Sequence, residues 1–369
     1  MSADRSSGAA AGPAARALAL GDAQSTPRAL TFGELMLRLS PPGDERFFAS
    51  GLFRAGFGGA EANVAVGLAH LGVRADYVTR LPDNLIGDEA LRVLRAEGVA
   101  TDSIVRGPER MGVYFVEPGA DLRESRLVYD RAGSAFSRVA PDTFDWQALL
   151  KGAQWFHGTG ITPALGGGPA GALAAAVTAA HAAKARVSID LNYRPALWQS
   201  RDPRALIEPL THGASLIFAN APSARAMLGV DADQPPIDER ANAHTRSLAN
   251  AAESRALCER IAERTGCALV ALTRREVLSP AEHGWSAVLY DAASATLSVS
   301  RAHRVRVVDR LGGGDSFAAA LIMGLLHGRA NDAALEFAVA ASALKLAVPG
   351  DFNRATVEEI ERLVAQPCS

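Results

Sequence analysis

Cysteine is scarce in this 369-residue chain: Cys258, Cys267 and Cys368 are the only three, and no two form a CxxC pair. An odd, sparse set argues against a disulfide framework and fits a reducing cytoplasm. Lysine is nearly missing as well. Lys151, Lys184 and Lys345 stand among 38 basic residues, and with abundant alanine this skew reads as coding bias. No apolar run reaches the roughly 18 residues that a membrane-crossing helix needs. The segment "ARALAL" (15–20) is too short and too poorly flanked for a signal peptide. An excess of charge is also lacking: the net charge of −2 gives no electrostatic reason to expect nucleic acid or an anionic membrane as partner. These absences predict a cytoplasmic protein. What is present, 48% hydrophobic and 21% charged residues, suits a globular protein with a sizeable core, in one large domain or two ordinary ones.

Residues 1–27 are Ala, Gly, Ser and Pro with little to bury, and read as a disordered tail. From Leu30 onward, short apolar stretches alternate with helix-like ones. "ALTFGELMLRL" reads as one strand, "EANVAVGLAHLG" as an amphipathic helix closed by Gly72, "ADYVTRL" as a strand and "GDEALRVLRAEG" as a helix. "MGVYFVE" and "SRLVYDR" look like paired strands. The alternation resumes with strands "AQWFHGTG", "RVSIDLN", "ASLIFAN" and "ALVALT", helices between them, and a hairpin in "WSAVLYDAASATLSVSR". Strands separated by helices imply a mostly parallel sheet covered on both faces. Material within 35–57 and 100–131 fits that scheme poorly and predicts a small projecting antiparallel sheet. Residues 231–250, polar and Pro-containing, read as a loop or insertion.

The densest chemistry lies in "RVVDRLGGGDSFAAALIMGLL" (306–326). A helix N-terminus has unsatisfied N–H groups and a partial positive charge, which together attract an anion. Glycines there let the backbone approach phosphate oxygens without an intervening Cβ. The pattern is not GxxxxGK[ST], so a P-loop is excluded. Gly312, Gly313 and Gly314 could equally form a plain tight turn with Asp315 capping the helix. Asp315 also offers a carboxylate that can take the proton of an attacking hydroxyl. In a loose phosphoryl-transfer transition state little proton movement is needed early, so its position matters more than its basicity. Asp309 could hold the loop or meet a metal.

"DRLGGGDSFAAALI" resembles the C-terminal signature of ribokinase-like (PfkB-type) sugar kinases, and "GFGGAEANVAVGLAHLG" (56–72) resembles their N-terminal one. The two occur in the expected order about 250 residues apart, and the likeness runs over about 30–365. It implies one three-layer α/β/α domain over 28–365, with a mostly parallel central sheet and a small β-sheet lid. It further implies ATP and Mg²⁺ as cofactors, Gly312–Gly314 as an anion hole and Asp315 as the catalytic base. Stretches such as "GELMLRLSPP", "RLPDNLIGDEA", "WFHGTGITPAL", "DLNYRPALW" and "VPGDFN" are similar to the 2-keto-3-deoxygluconate kinase branch. That branch implies a small-molecule sugar acid as the substrate, phosphorylated at its 6-position.

A sugar acid needs guanidinium or hydroxyl donors around its carboxylate. In "SIDLNYRP", Asp190, Asn192 and Arg194 alternate, so they share one side as the strand runs out, and Arg194 could hold the carboxylate. Tyr114, Tyr129 and Arg131 would close over the sugar as a lid, or be ordinary cross-strand side chains. The resemblance brings Gly33, Gly59 and Asn63 near the sugar, with Asp351 and Asn353 of "PGDFN" close by. It also brings Asn220, Thr273 and Arg274 near the nucleotide, with Gly312 and Gly314. Ser223 stands where many relatives have a Glu that helps organise Mg²⁺, so no metal ligands are assigned. His157 reads as structural. Kinases of fructose or other neutral ketoses are the nearest rival expectation, and a catalytically silent sugar- or nucleotide-binding protein is another. Exposed lid edges would suit a homo-oligomer.

Overall fold

The computed structural model describes residues 26–119, 123–199, 201–231, 243–279 and 281–366, with the backbone alone over 243–250. The expected tail at 1–27 falls almost wholly outside the described residues, as do most of the expected insertion at 231–250 and Cys368. The part of that insertion from Ala243 is not loop: it opens a helix that runs to Thr265.

Fifteen strands are described. In chain order they are β1 (Arg28–Phe32), β2 (Met36–Ser40), β3 (Arg54–Gly58), β4 (Arg74–Val78), β5 (Arg80–Pro82), β6 (Val105–Gly107), β7 (Val113–Glu117) and β8 (Arg126–Asp130). They continue as β9 (Trp155–Thr159), β10 (Arg186–Asp190), β11 (Leu216–Ala219), β12 (Leu269–Ser279), β13 (Glu282–Asp291), β14 (Thr296–Val299) and β15 (His303–Arg306). The helices are α1 (Ala60–His70), α2 (Leu85–Ala96), α3 (Trp146–Leu150), α4 (Gly167–Ala182), α5 (Pro195–Trp198) and α6 (Arg204–Thr211). They end with α7 (Ala221–Leu228), α8 (Ala243–Thr265), α9 (Gly313–Leu326), α10 (Asn331–Leu346) and α11 (Val357–Val364).

The main sheet runs β14-β13-β12-β11-β10-β9-β1-β4, with β15 also on β13. From β12 to β4 all pairs are parallel, and the β12–β13–β14 end is antiparallel. Its strands are apolar at successive positions because both faces are covered. Along β11, for example, Leu216 and Phe218 enter one core while Ile217 and Ala219 enter the other. This is the expected three-layer α/β/α arrangement.

Four readings need correction. "ALTFGELMLRL" is two strands: β1 belongs to the main sheet, and the chain turns at Gly33–Leu35 so that β2 enters a second sheet. That sheet, β3-β2-β7-β8, is mixed, not antiparallel, because β2 and β7 run parallel. Val105–Gly107, inside the predicted lid range, pairs instead with β5. Finally, α1 is not amphipathic: every residue from Glu61 to Leu68 is buried, since the helix packs both on the sheet and on α9. A charged residue in such a helix must be satisfied by protein, and Glu61 is.

Candidate active site

Two adjoining cavities open at the carboxyl ends of the parallel strands, where open α/β sheets bind ligands. One lies under the second sheet and is lined by Gly59, Asn63, Tyr114, Tyr129, Arg131 and Asp351, among others. The other lies over β10–β12 and is lined by Asp190, Asn192, Asn220, Thr273, Arg275 and Arg310, among others. Arg194, Gly312 and Asp315 line both. The join between the two cavities is therefore the glycine-rich turn with its acid.

The turn is built for close approach. Gly312 adopts φ 77°, which favours glycine, and a Cβ there would come within 2.0 Å of the Asp351 carbonyl oxygen. Gly313 packs inward, and its carbonyl accepts from Ser342 Oγ at 2.7 Å. It lines neither cavity, whereas Gly314 is exposed to the second one. Asp315 follows in the first turn of α9. Its carboxylate accepts from Asn63 Nδ2 at 2.7 Å. Burial of the carboxyl raises its pKa to about 6, against the lowering effects of the Asn63 hydrogen bond and the Arg194 charge.

Two further carboxyls lie close to it. Glu61, fully buried, accepts from Thr159 Oγ1 at 2.6 Å and Thr162 Oγ1 at 3.1 Å, and burial raises it to about 7. Asp190 is likewise raised to about 7, by burial first and then by the Asp315 charge. Asp190, Asn192 and Arg194 do reach one cavity, but not through strand alternation. The strand ends at Asp190, whose Oδ1 accepts from Asn192 N at 3.0 Å, and Asn192 takes φ 39°. Arg194 is exposed at the cavity mouth, with no carboxylate in ion-pair distance among the described residues.

On the lid side, the rings of Tyr114 and Tyr129 stack with centroids 6.0 Å apart. The Tyr114 hydroxyl is buried beside the Asp351 carboxyl, and each group acts on the other. Arg131 lies over Tyr129 at 5.8 Å and its Nε donates to Glu34 at 2.8 Å. Asp351 reaches the cavity, but its Oδ1 is held by Arg38 at 2.5 Å, and Arg38 also holds Asp309 at 2.5 Å. Asp309 therefore supports the loop: its Oδ1 accepts from Leu311 N at 3.1 Å and its Oδ2 from Gly350 N at 3.0 Å. Asn353 is buried and donates to Ser316 and to the Ala341 carbonyl. Gly33 lines neither cavity. A Cβ there would strike Glu61 Oε2 at 2.0 Å, so it is a packing position.

On the other side, Arg274 does not line the second cavity. Along β12, Thr273 and Arg275 share one face, and Arg274 turns to the opposite one, within the field of Glu253 of α8. Arg275 and Arg310, neither anticipated, bring two guanidinium groups to the second cavity. Ser223 closes a capping box on α7: its Oγ accepts from Asn220 N, and Asn220 Oδ1 accepts from Ser223 N, each at 2.9 Å. His157 is a core residue, with Nδ1 2.8 Å from Ser188 Oγ and its pKa lowered to about 3 by burial. Among the described residues no group of three His, Cys, Asp or Glu could hold a metal ion, and no helix is long and apolar enough to cross a membrane.

A model of the pfkB family carbohydrate kinases matches residues 27–356. The 2-dehydro-3-deoxygalactonokinase of Haloferax volcanii is 31% identical over 341 residues, covering 92% of this chain and 97% of its own length. Among solved structures, the 2-dehydro-3-deoxygluconokinase of Thermotoga maritima is 39% identical with a TM-score of 0.85, over 93% of this chain and 99% of that one. A fructokinase from Xylella fastidiosa with bound ATP shares the fold, at 23% identity and a TM-score of 0.69.

Proposed function

The chain belongs to the pfkB family of carbohydrate kinases, and on that premise we propose that it transfers the γ-phosphoryl group of ATP to the terminal hydroxyl of 2-dehydro-3-deoxygluconate (2-keto-3-deoxygluconate), giving the 6-phosphate. The observation that carries this reading is the place of Asp315 and Gly312 on the shared wall of two cavities. An acceptor on one side and a phosphoryl donor on the other would meet at that wall, which is what an in-line transfer requires.

Each group then has a task. Asp315 accepts the proton of the attacking hydroxyl, and Asn63 fixes its carboxylate. A base with a pKa near 6 is ionised at neutral pH and remains basic enough to share a proton. The backbone of Gly312–Gly314 at the start of α9 offers N–H groups to the charge that develops on the transferred group. Arg275 and Arg310, with Asn220 and Thr273, suit the nucleotide phosphates. Arg194 suits the substrate carboxylate, because it has no ion-pair partner among the described residues and reaches both cavities. Tyr114, Tyr129 and Arg131 would cover the acceptor and exclude water.

The donor set also fits Mg²⁺ of the kind bound through phosphates and water, with one or two carboxylates. Asp190 is the protein group best placed for it, directly or through water, since its charge is otherwise opposed by burial and by Asp315. Bound there, the ion would neutralise phosphate charge. Ser223 is occupied in capping α7 and has no part in this.

The similarity to the Thermotoga enzyme supports the gluconate-derived acid, and the Haloferax relative favours its C4 epimer as a second reading. ATP-dependent ADP release measured on both acids and on fructose tests the proposal. Turnover of either acid well above fructose supports an acid kinase, and the better acid identifies the stereochemistry. Turnover on fructose alone, or on none, overturns it. An Asp315→Asn variant that kept most of its kcat would remove the base assignment by itself.

A further inference from the structure

Of the three lysines in the chain, Lys345 is wholly buried, at the end of α10 directly beneath the glycine-rich turn. A Cβ on Gly312 would lie 3.2 Å from Lys345 Cε. Its ammonium forms no ion pair among the described residues. It donates instead to two backbone carbonyls, those of Asp309 and Val348, at 3.4 Å each. These carbonyls belong to the two segments that make the turn: 309–312, which leads into α9, and 348–351, whose Asp351 carbonyl packs on Gly312. The rest of the contact is built from the same helix. Ser342 bonds the Gly313 carbonyl, and Leu346 lies 2.9 Å from where a Gly313 Cβ would be. Ser342, Lys345 and Leu346 thus form one face of α10 beneath the turn.

Burying an ammonium is costly unless charge and hydrogen bonds compensate, and burial does push its pKa down, opposed by the nearby charges of Asp309 and Asp351. Two basic groups, Arg38 and Lys345, face two acids, Asp309 and Asp351. Arg38 takes both carboxylates, leaving Lys345 to the main chain. A group used only to neutralise charge would approach the carboxylates. This one joins backbone to backbone.

We propose that Lys345 is a positioning residue: its ammonium ties the 309–312 and 348–351 segments together and holds the Gly312–Gly314 amides in the arrangement that receives the transferred phosphoryl group. The role rests on the kinase reading above, and it concerns the turn rather than the sugar pocket. It makes the ammonium a covalently attached cation in a site lined by carbonyl oxygens. Shortening the side chain to alanine should leave a space of the size and polarity that a small monovalent cation can fill.

Lys345→Met keeps the length without the charge. Its kcat should fall about 10- to 100-fold, less than the roughly 100- to 1000-fold cost of removing a donor outright because the amides are displaced and not deleted, while the KM for the sugar stays within about threefold and the melting midpoint does not drop. Lys345→Ala should respond to ammonium or potassium chloride with a rise in both melting midpoint and kcat, relative to choline chloride at equal ionic strength. Wild type should show neither response. The proposal is overturned if Lys345→Met keeps kcat within about threefold of wild type, or if neither small cation changes the melting midpoint of Lys345→Ala. The melting measurement does not need turnover, so a failure here is distinguishable from a failure of the kinase reading, which wild-type turnover decides.

Discussion

Replacing Asn63 by leucine removes the hydrogen bond from Nδ2 to Asp315 at 2.7 Å, together with the longer one that Oδ1 accepts from Gly59 N at 3.3 Å, and tests how the base is tuned. Burial holds the Asp315 carboxyl at about 6, and the Asn63 bond is the largest effect opposing that rise. A hydrogen bond to a carboxylate contributes roughly 1.5–3 kcal/mol. At about 1.36 kcal/mol per pKa unit its loss moves the group up by roughly one to two units, to about 7–8. The sign follows from the chemistry: the base acts when ionised, so activity falls as pH falls through its pKa. In wild type, kcat/KM should decline below pH ~6 and reach about a tenth of its plateau near pH 5. In Asn63→Leu the acid limb should shift upward, so that at pH ~6.5 the variant keeps about a tenth of its own plateau where wild type keeps about three quarters. The assay is kcat/KM from pH 5 to 9 with ATP saturating. A variant whose plateau falls while its acid limb stays at the wild-type pH would refute the electrostatic reasoning and leave Asn63 as a sugar contact.

Arg194→Ala should lose roughly 10- to 100-fold in kcat/KM on the sugar acid and little on a neutral ketose, because a charge-assisted contact to carboxylate is removed; equal losses on both substrates would count against the assignment. Glu61→Gln should stabilise the protein increasingly as pH rises. The folded-state pKa of Glu61 is raised to about 7, so its contribution is fully present below about 4.5 and is lost as pH climbs through 7. The difference in stability from wild type should therefore be larger at pH 8 than at pH 5, by about 2–3 kcal/mol, and denaturant titrations at the two pH values measure it. Ser223→Ala should cost about 1 kcal/mol through loss of the Asn220 N to Ser223 Oγ half of the capping box and leave the Mg²⁺ concentration for half-maximal rate unchanged; a shifted Mg²⁺ requirement would instead give Ser223 a metal-handling role.

What could be read in the sequence was local. The glycine turn and Asp315 are contiguous, so the anion site needs only the chain around it. The parallel sheet follows from alternating apolar and helical segments. The strand break at Gly33 was not legible, because "ALTFGELMLRL" is mostly apolar on both sides of Gly33–Glu34 and nothing short of tertiary packing says which half leaves the main sheet. Arg274 and Arg275 are adjacent, and the pleat alone decides which one faces the cavity. Glu61, Arg38 and Lys345 were missed for one reason. Each is a lone charge inside an apolar stretch, "AEANVAV", "LMLRLS" and "ALKLA". That signal was present, but its meaning depends on partners far away in the chain. Ser223 raised doubt as a missing carboxylate, and the capping box gives it a local explanation.

The Asn63–Asp315 hydrogen bond spans 252 positions, and the turn it serves is braced by Arg38 near the start of the domain and Asp351 near its end. No contiguous fragment short of nearly the whole domain contains these groups. Long-range contacts form late and at a high cost in loop closure. Turnover is therefore a stringent gauge of complete folding: during refolding, helical signal can return from local elements while phosphoryl transfer waits for the two ends of the chain to meet.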